Sequence, residues 1–261
     1  MKEKLRSIIF KVLPPVAAIL LVFGVWVALC SFSDIPKNVL PSPEAVWKAF
    51  WDDRELIFKH ARVTLIETAI GLLIGIALGF LSAAVMDRFI VVKKISYPLI
   101  IVSQTIPTIA IAPLLVLWLG FDMLPKIVLV VFIVFFPITV SLLEGFGSVD
   151  ADTVNLMRSM GAGRLKTFRY VKIPAALGQF FAGLKISVSY AVVGAVISEM
   201  LGGTWGLGRY MTLVRKSNRY DKMFAVIIVI SLLSLLLFWL TGVLQRITMP
   251  WEKVNEKRRK I

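Results

Sequence analysis

The sequence has very few of the residues from which catalytic, redox and metal centres are built. Among 261 residues there are one cysteine and one histidine. A single cysteine excludes an intrachain disulfide, a cysteine redox pair and a multi-cysteine metal site. His60 has no cluster of cysteines or carboxylates around it in the sequence, and no nucleophile stands beside an evident base. No catalytic or metal-binding residue is therefore predicted, and an intramembrane enzyme is disfavoured.

Charged residues are also scarce. They make up 18% of the chain, whereas 58% is hydrophobic and the mean hydropathy is +0.83. A soluble domain carries roughly 25% charged residues, so the composition indicates a membrane protein. The net charge of +14 fits basic cytoplasmic loops on such a protein, and nucleic acid is not predicted as a partner.

Six stretches have the length and composition of membrane-spanning helices. Such a helix needs about 20 mostly apolar residues. The first stretch is longer than the apolar region of a signal peptide, so we interpret it as a retained span. The predicted fold class is all-α, a polytopic membrane protein with about six transmembrane helices. The stretches are 12–31, 62–86, 95–119, 125–146, 176–200 and 223–245.

The distribution of lysine and arginine predicts the orientation. With the N-terminus inside, the inner segments carry 18 of these residues and the outer segments carry 11. Cytoplasmic loops are enriched in Lys and Arg. We therefore expect an inner or plasma membrane protein with both termini and the loop 148–174 in the cytoplasm.

The chain is divided by this topology into three parts. Residues 1–60 hold a tail, the first span and an external loop. Within that loop Leu40–Asp52 predicts a short interfacial helix capped by Ser42. Residues 61–246 form the transmembrane core with the loop 148–174, and residues 247–261 form a basic cytoplasmic tail.

The second stretch contains a stripe of glycines. Gly71, Gly75 and Gly79 form two overlapping GxxxG patterns. Small residues one turn apart let helix backbones approach closely. Packing within the chain is the expected role, and a contact with a second copy is the alternative.

The third stretch places polar and helix-breaking residues inside a span. Gln104, Thr105 and Pro107 stand near its middle. A helix that is broken by proline and carries polar groups at this depth is typical of a pathway lining. A kink with only a structural role is the alternative.

Three further ionisable residues lie in or near the spans, and each is costly in lipid. Glu67 and Glu199 stand near outer ends, where water is within reach, and Lys185 stands nearer an inner end, from which it can snorkel. Lys185 and Glu199 are candidate pathway residues. Apart from Lys185 the span centres are uncharged, which disfavours an ion-coupled carrier.

The loop Ser148–Pro174 is a polar segment between two apolar stretches. Asp150 predicts the N-cap of a helix over about 151–160, and Gly161 predicts its end. A second, basic helix is expected over Arg164–Tyr170, and Pro174 is expected to begin the fifth span. One edge of the first helix is apolar and suits a groove on another protein. This edge consists of Val154, Met157 and Met160, and Leu156 widens it. A solvated loop is the alternative.

This loop resembles the EAA loop of ATP-binding cassette (ABC) importer permeases. Gly161 is followed after nine residues by Val171-Lys172-Ile173-Pro174, which keeps the family spacing of thirteen from Gly to Pro. Asn155-Leu156-Met157 stand where that family has Glu-Ala-Ala. LPSPEAVW, SVDAD, MRSMGA and GLGRYM are similar to the nitrate, sulfonate and taurine type of permease, and SQTIP and RKSNRYDKMFA are similar to thiamine-precursor pyrimidine permeases.

The resemblance implies a type I ABC importer permease whose coupling helix, Ala151–Gly163, contacts an ATPase subunit. The implied solute is a thiamine-precursor pyrimidine, with sulfonate, taurine or nitrate as alternatives. The implied contact residues are Asp152, Val154, Asn155, Leu156, Met157, Arg158, Met160, Gly161, Ala162, Gly163 and Pro174.

The resemblance also implies several partners. They are cytoplasmic ATPase subunits, a second permease copy, an external solute-binding protein and the lipid bilayer. The sequence contains no G-x-x-x-x-G-K-[S/T] loop of the kind that cradles ATP phosphates. We therefore expect no cofactor on this chain and place ATP and magnesium on the partner ATPase.

Overall fold

The computed structural model describes residues 2–32, 36 and 39–251, and the side chains of residues 2–12 are not described. The predicted basic tail therefore lies mostly outside the described residues. The described residues fall into two compact units, one within Met1–Ile57 and Met211–Ile228 and one within Phe58–Tyr210 and Val229–Ile261.

Helices make up nearly all of the described chain, which confirms the all-α prediction. Five of them, in the described part, have segments long and apolar enough to cross a membrane, and α3 and α4 together form a further, bent candidate. A π-helical turn, Phe168–Lys172, joins α7 to α8. The helices are α1 (Lys2–Phe32), α2 (Pro43–Arg88), α3 (Ile90–Gln104), α4 (Thr108–Leu119), α5 (Leu124–Gly147), α6 (Ala151–Ser159), α7 (Arg164–Thr167), α8 (Ile173–Gly202), α9 (Leu207–Lys216) and α10 (Tyr220–Thr248).

The predicted interfacial helix is not a separate element. Ser42 does cap a helix, since its Oγ accepts from the backbone N–H of Ala45 at 3.3 Å. That helix, however, runs on as α2 for 46 residues. No glycine or proline stands between Pro43 and Gly71, so no residue in this stretch ends the helix. The prediction of a short helix at Leu40–Asp52 followed by a span beginning near residue 62 is therefore wrong.

The predicted break in the third span lies where the proline stands. Helix α3 ends at Gln104, and α4 begins at Thr108 with a bend of 98° between them. Pro107 has extended backbone angles, φ −61° and ψ 120°. Because proline lacks an N–H and disfavours helical geometry in the residue before it, the chain leaves the helix here.

Pro174 is the second residue of α8, where the fifth span was expected to begin, but α8 continues a helical run that starts earlier. The helical run is continuous from Arg164 to Gly202, and Pro174 is its eleventh residue. The π-helical turn Phe168–Lys172 lies immediately before it. A proline removes one backbone donor and crowds the carbonyl four residues earlier. The wider π-helical turn relieves this crowding, so the helix changes its pitch without ending.

The first unit brings α1 against the beginnings of two other helices. The indole Nε1 of Trp26 donates to the carbonyl of Pro41 at 3.1 Å, and its ring stacks on Phe224 with 6.0 Å between centroids. Lys222 donates to a carboxylate oxygen of Asp53 at 2.6 Å. In contrast, no residue of the apolar span Leu13–Phe32 is buried among the described residues, which leaves this span free to face lipid.

The second unit is built around the packing of α5 against α8, with α2 on α5. The glycine stripe predicted on α2 lies directly against α5. A Cβ added to Gly71, Gly75 or Gly79 would meet Val130, Val134 or Ile138 at 2.5 to 2.8 Å. Gly183 on α8 likewise faces Ser141 on α5. The glycines therefore set how closely these helix backbones approach.

We expect Gly75→Ala to destabilise the protein. Its new Cβ would lie 2.7 Å from the Cβ of Val134, and that atom cannot move without its backbone. Overpacking of this kind costs about 1–3 kcal/mol, so the thermal unfolding midpoint in detergent should fall. Gly242→Ala is the control, because no atom of the described residues lies within 4 Å of its added Cβ. Equal midpoints for the two variants would contradict this account of the packing.

Candidate functional site

The loop between α5 and α8 contains a short, well-delimited helix. A carboxylate oxygen of Asp150 accepts from the backbone N–H of Asp152 at 3.3 Å and caps α6. The helix ends with Gly161 at φ +77°, and the N–H of Ala162 donates to the carbonyl of Met157 at 2.9 Å. Glycine adopts this left-handed conformation without steric cost, so the chain turns sharply here.

Helix α6 has two different faces, and none of its residues is buried. Leu156 and Met160 are 62% and 75% exposed, and Leu165 on α7 is 79% exposed. Val154 and Met157 are half-buried. The predicted apolar edge of Val154, Met157 and Met160 is thus divided, and the apolar groups open to a partner are those of Leu156, Met160 and Leu165.

A cavity of about 950 Å³ lies behind α6, between α6 and the ends of α2 and α5. We call it the coupling-loop cavity. The side of α6 that faces the ends of α2 and α5 contributes Val154, Asn155 and Arg158 to its wall. On another wall Lys172 donates to both carboxylate oxygens of Asp87, at 2.6 and 2.8 Å, and this ion pair joins the end of α2 to the π-helical turn.

A second group of polar residues is buried where α8 ends. Glu199 is 0% exposed. Its Oε1 accepts from the hydroxyl of Thr64 at 2.7 Å, and its Oε2 accepts from the N–H of Gly208 at 2.7 Å. The N–H of Gly206 donates to Nδ1 of His60 at 3.0 Å. These bonds hold the turn after α8 against α2.

The adjacent carboxylate on α2 is buried in an ion pair. Nζ of Lys126 lies 2.8 Å from Oε1 of Glu67, and the two side chains are 4% and 1% exposed. Glu67 and Glu199 therefore face protein and do not reach the water near the outer ends of the spans. Both carboxylates bond to groups inside the protein, as is usual for an ionisable group in a membrane-spanning segment. Oε2 of Glu67, however, is buried without a hydrogen-bond partner among the described residues.

The break between α3 and α4 opens onto a smaller cavity of about 200 Å³. We call it the central cavity. Phe132 and Phe136 come from the middle of α5 and Tyr190 from the middle of α8, so the cavity lies near the centre of these spans. Gln104 and Thr108 line it from the two sides of the break. Its lining combines aromatic rings with uncharged hydrogen-bonding groups.

The other residues predicted to line a pathway lie elsewhere. Thr105 and Pro107 are in the break but do not line the central cavity, and the Thr105 hydroxyl donates to the carbonyl of Val102 at 2.7 Å. Lys185 donates to Oε1 of Gln245 at 2.7 Å. Glu199 belongs to the buried group described above. The structure therefore brings only Gln104 of this set to the cavity.

Residues 75–248 match the family described as binding-protein-dependent transport system inner membrane component. The chain belongs to this family. It is the permease subunit of an ABC importer and a multi-pass membrane protein, and ATP hydrolysis is carried out on separate chains. Membership implies ATPase and solute-binding protein partners.

Two relatives match the permease over most of its length. A probable ABC transporter permease protein of Haemophilus influenzae is 34% identical over 229 residues, which cover 88% of this chain and 94% of the relative. The formylaminopyrimidine transport permease protein ThiX of Halalkalibacterium halodurans is 35% identical over 245 residues, which cover 94% of this chain and 98% of that protein.

The fold is shared with solved ABC transporters. The crystal structure of an amino acid ABC transporter with histidines superimposes with a TM-score of 0.63 at 18% identity, covering 76% of this chain and 97% of the other. This likeness supports the arrangement of the permease helices and carries no information about the solute.

Several residues of the permease sites were missed by sequence reasoning. Lys126 carried a weak signal, because it is a lone charge at the start of an apolar stretch. Its partner Glu67 is 59 residues away, and no local pattern joins them. Nothing in the sequence distinguishes Phe132, Phe136 and Tyr190 from the other apolar residues of the spans. Only the fold places these three residues around one cavity.

We expect Lys126→Met to destabilise the permease strongly. Glu67 would be left as an unpaired buried carboxylate, and breaking a buried pair in this way costs about 3–5 kcal/mol. Thermal unfolding in detergent measures the loss. The double variant Glu67→Gln/Lys126→Met should recover most of it, whereas Lys222→Met, which breaks a more exposed pair with Asp53, should cost about 1 kcal/mol or less. A double variant as unstable as the single one would contradict the pairing.

Proposed function

We propose that the permease carries a small neutral ring compound of the thiamine-precursor pyrimidine class. ThiX, the relative named for formylaminopyrimidine transport, supports this choice because it aligns over 94% of the chain. Relatives at 27–28% identity are named for aliphatic sulfonates, taurine and nitrate, which are the alternative solutes.

The central cavity is the observation that carries this proposal. No charged residue is among its described lining, whereas sulfonate and nitrate anions would require a cation or a set of strong donors. The rings of Phe132 and Phe136 offer stacking surfaces. Its volume of about 200 Å³ is below the roughly 300–1,000 Å³ of pockets for drug-sized ligands, and so suits a single ring.

Polar groups around the central cavity are available to a solute. The side chains of Gln104, Thr108 and Tyr190 make no hydrogen bond with any described residue. Polar groups at this depth in a membrane need a partner. A ring that bears nitrogen atoms and amino groups supplies both acceptors and donors to an amide and two hydroxyls. Gln104 is therefore the residue that we assign to solute contact.

The outward face of α6 is proposed to dock on the ATPase subunit. Leu156, Met160 and Leu165 are exposed apolar side chains on a polar loop, and such a face suits a groove on a partner. Two permease copies would line one path, and an external binding protein would deliver the solute. ATP and magnesium would bind to the ATPase, and closure of its subunits would rock the permease from an inward-open to an outward-open state.

The proposed orientation places both termini and α6 in the cytoplasm. It is supported by the excess of lysine and arginine in the segments assigned to the inside. It requires an even number of crossings, which the five long helices and the bent α3–α4 pair provide when the pair counts as one crossing.

We expect Leu156→Asp to release the ATPase. The substitution places a charge in the middle of the proposed docking face, where truncation of central residues typically costs 2 kcal/mol or more. Co-purification of the ATPase with tagged permease should fall by roughly tenfold or more. Thr153→Asp adds the same charge to another exposed position of α6 and should leave the yield unchanged. A normal yield for both variants would exclude this face as the docking site.

We expect Gln104→Leu to impair solute uptake while leaving assembly intact. Loss of one hydrogen bond to the solute costs about 1 kcal/mol, so uptake of the pyrimidine at limiting concentration should fall about fivefold. Thr105→Val is the matched control, because the Thr105 hydroxyl is bonded within its own helix. The assay uses proteoliposomes with the complete transporter and its binding protein. Unchanged uptake by Gln104→Leu would make Gln104 a packing residue.

The same assay tests the choice of solute. Pyrimidine, aliphatic sulfonate, taurine and nitrate are each supplied with the cognate binding protein, whose thermal shift with each compound is measured separately. Uptake of the pyrimidine alone supports the proposal. Uptake of one of the other three would replace the pyrimidine and leave the permease function in place.

A further inference from the structure

Three arginines in the coupling-loop cavity lack a carboxylate partner among the described residues. Arg88, Arg158 and Arg164 all line the cavity, and no carboxylate of the described residues pairs with any of them. The one acidic residue of the lining, Asp87, is already bonded to Lys172. Three like charges facing one space repel each other unless an anion lies between them.

The chemistry of arginine indicates the kind of anion. A guanidinium group presents a planar fork of donors that matches phosphate oxygens and binds them bidentately. Arg88 also lies over the ring of Phe89, with 5.0 Å from its central carbon to the ring centroid. Carboxylate is bound by guanidinium in the same way, so the position of the cavity decides between the two anions.

The position of the cavity indicates where the phosphate comes from. The membrane-spanning segment Leu124–Gly147, which is 24 residues long, ends at its wall. The ends of such segments lie at the level of the lipid headgroups. Basic pockets between membrane helices at this level bind anionic headgroups. Phe146 and Phe168 also line the cavity and provide the apolar surface that a lipid needs beside its charge.

The size of the cavity and its separation from the docking face favour the same ligand. Its volume of about 950 Å³ is far larger than an inorganic phosphate needs, and it accommodates a phosphoglycerol group. On α6 the proposed ATPase contact uses Leu156 and Met160, whereas the cavity uses Val154, Asn155 and Arg158 on the other side. Leu165 on α7 belongs to both surfaces. A bound lipid and a docked ATPase would thus occupy different faces of one helix.

We propose that the coupling-loop cavity binds a phosphate-bearing anion, and that this anion is the headgroup of an anionic phospholipid. The headgroup would bridge Arg88 at the end of α2, Arg158 on α6 and Arg164 at the start of α7. It would hold α6 in place from the membrane side. This site is independent of which solute the permease carries.

Native mass spectrometry of the purified full chain in detergent tests the proposal. The protein is titrated with phosphatidylglycerol and, in parallel, with phosphatidylcholine. We expect phosphatidylglycerol to bind at least tenfold more tightly, and Arg88→Gln/Arg158→Gln/Arg164→Gln to weaken its binding roughly 10- to 100-fold. The control is the triple variant Lys93→Gln/Lys94→Gln/Lys166→Gln, which removes the same amount of positive charge outside the cavity. It should change lipid binding less than about threefold.

Each outcome decides the proposal. Equal weakening by the two triple variants, or equal binding of the two lipids, would overturn it. Displacement of the lipid by purified ATPase would also overturn it, because the arginines would then belong to a protein interface. Displacement by excess inorganic phosphate would retain the phosphate site and assign it to a soluble phosphate compound. If the arginine triple variant does not fold, Arg158→Gln on exposed α6 replaces it, with an expected loss of roughly fivefold.

Discussion

A polar group that is removed from water must find a partner inside the protein, and this constraint decides where the helices of the permease meet. The ion pair of Glu67 with Lys126 ties α2 to α5. The carboxylate of Glu199 accepts from Thr64 on α2 and from Gly208 at the start of α9. The glycine contacts between α2 and α5 let the backbones approach closely enough for these bonds to form. Close packing and polar pairing thus support each other.

The parts of the structure that follow from local signals were predicted well. Apolar stretches gave the approximate positions of the spans, because length and hydropathy are properties of one segment. Asp150 and Gly161 delimited α6, since a cap and a left-handed glycine act within a few residues. Pro107 marked the bend between α3 and α4 for the same reason. The family resemblance of the loop around α6 then led to the permease assignment, which the comparisons bear out.

The remaining features depend on residues far apart in the chain. Thr64 and Glu199 are 135 positions apart, and nothing near either residue indicates that they meet. The central cavity collects Gln104, Phe132 and Tyr190 from three helices. Helix α2 was divided wrongly because its mixed polar stretch resembles a loop in composition, although it contains no residue that ends a helix. Pro174 stands at the start of α8 as predicted, but the helical run begins earlier, at Arg164, because the π-helical turn before Pro174 accommodates the missing donor.

Because α6 has no buried residues, the resistance of the subunit to degradation depends on its assembly with partners. A helix of nine residues is too short to be stable alone in water, so much of its order has to come from whatever binds it. By mass action, a partner that binds the folded segment stabilises it, and the gain grows with the logarithm of the ratio between the partner's concentration and the dissociation constant. A permease made in excess of its partners would open first at this loop and be cleaved there by proteases. The number of permease subunits in the cell would thereby follow the number of ATPase subunits.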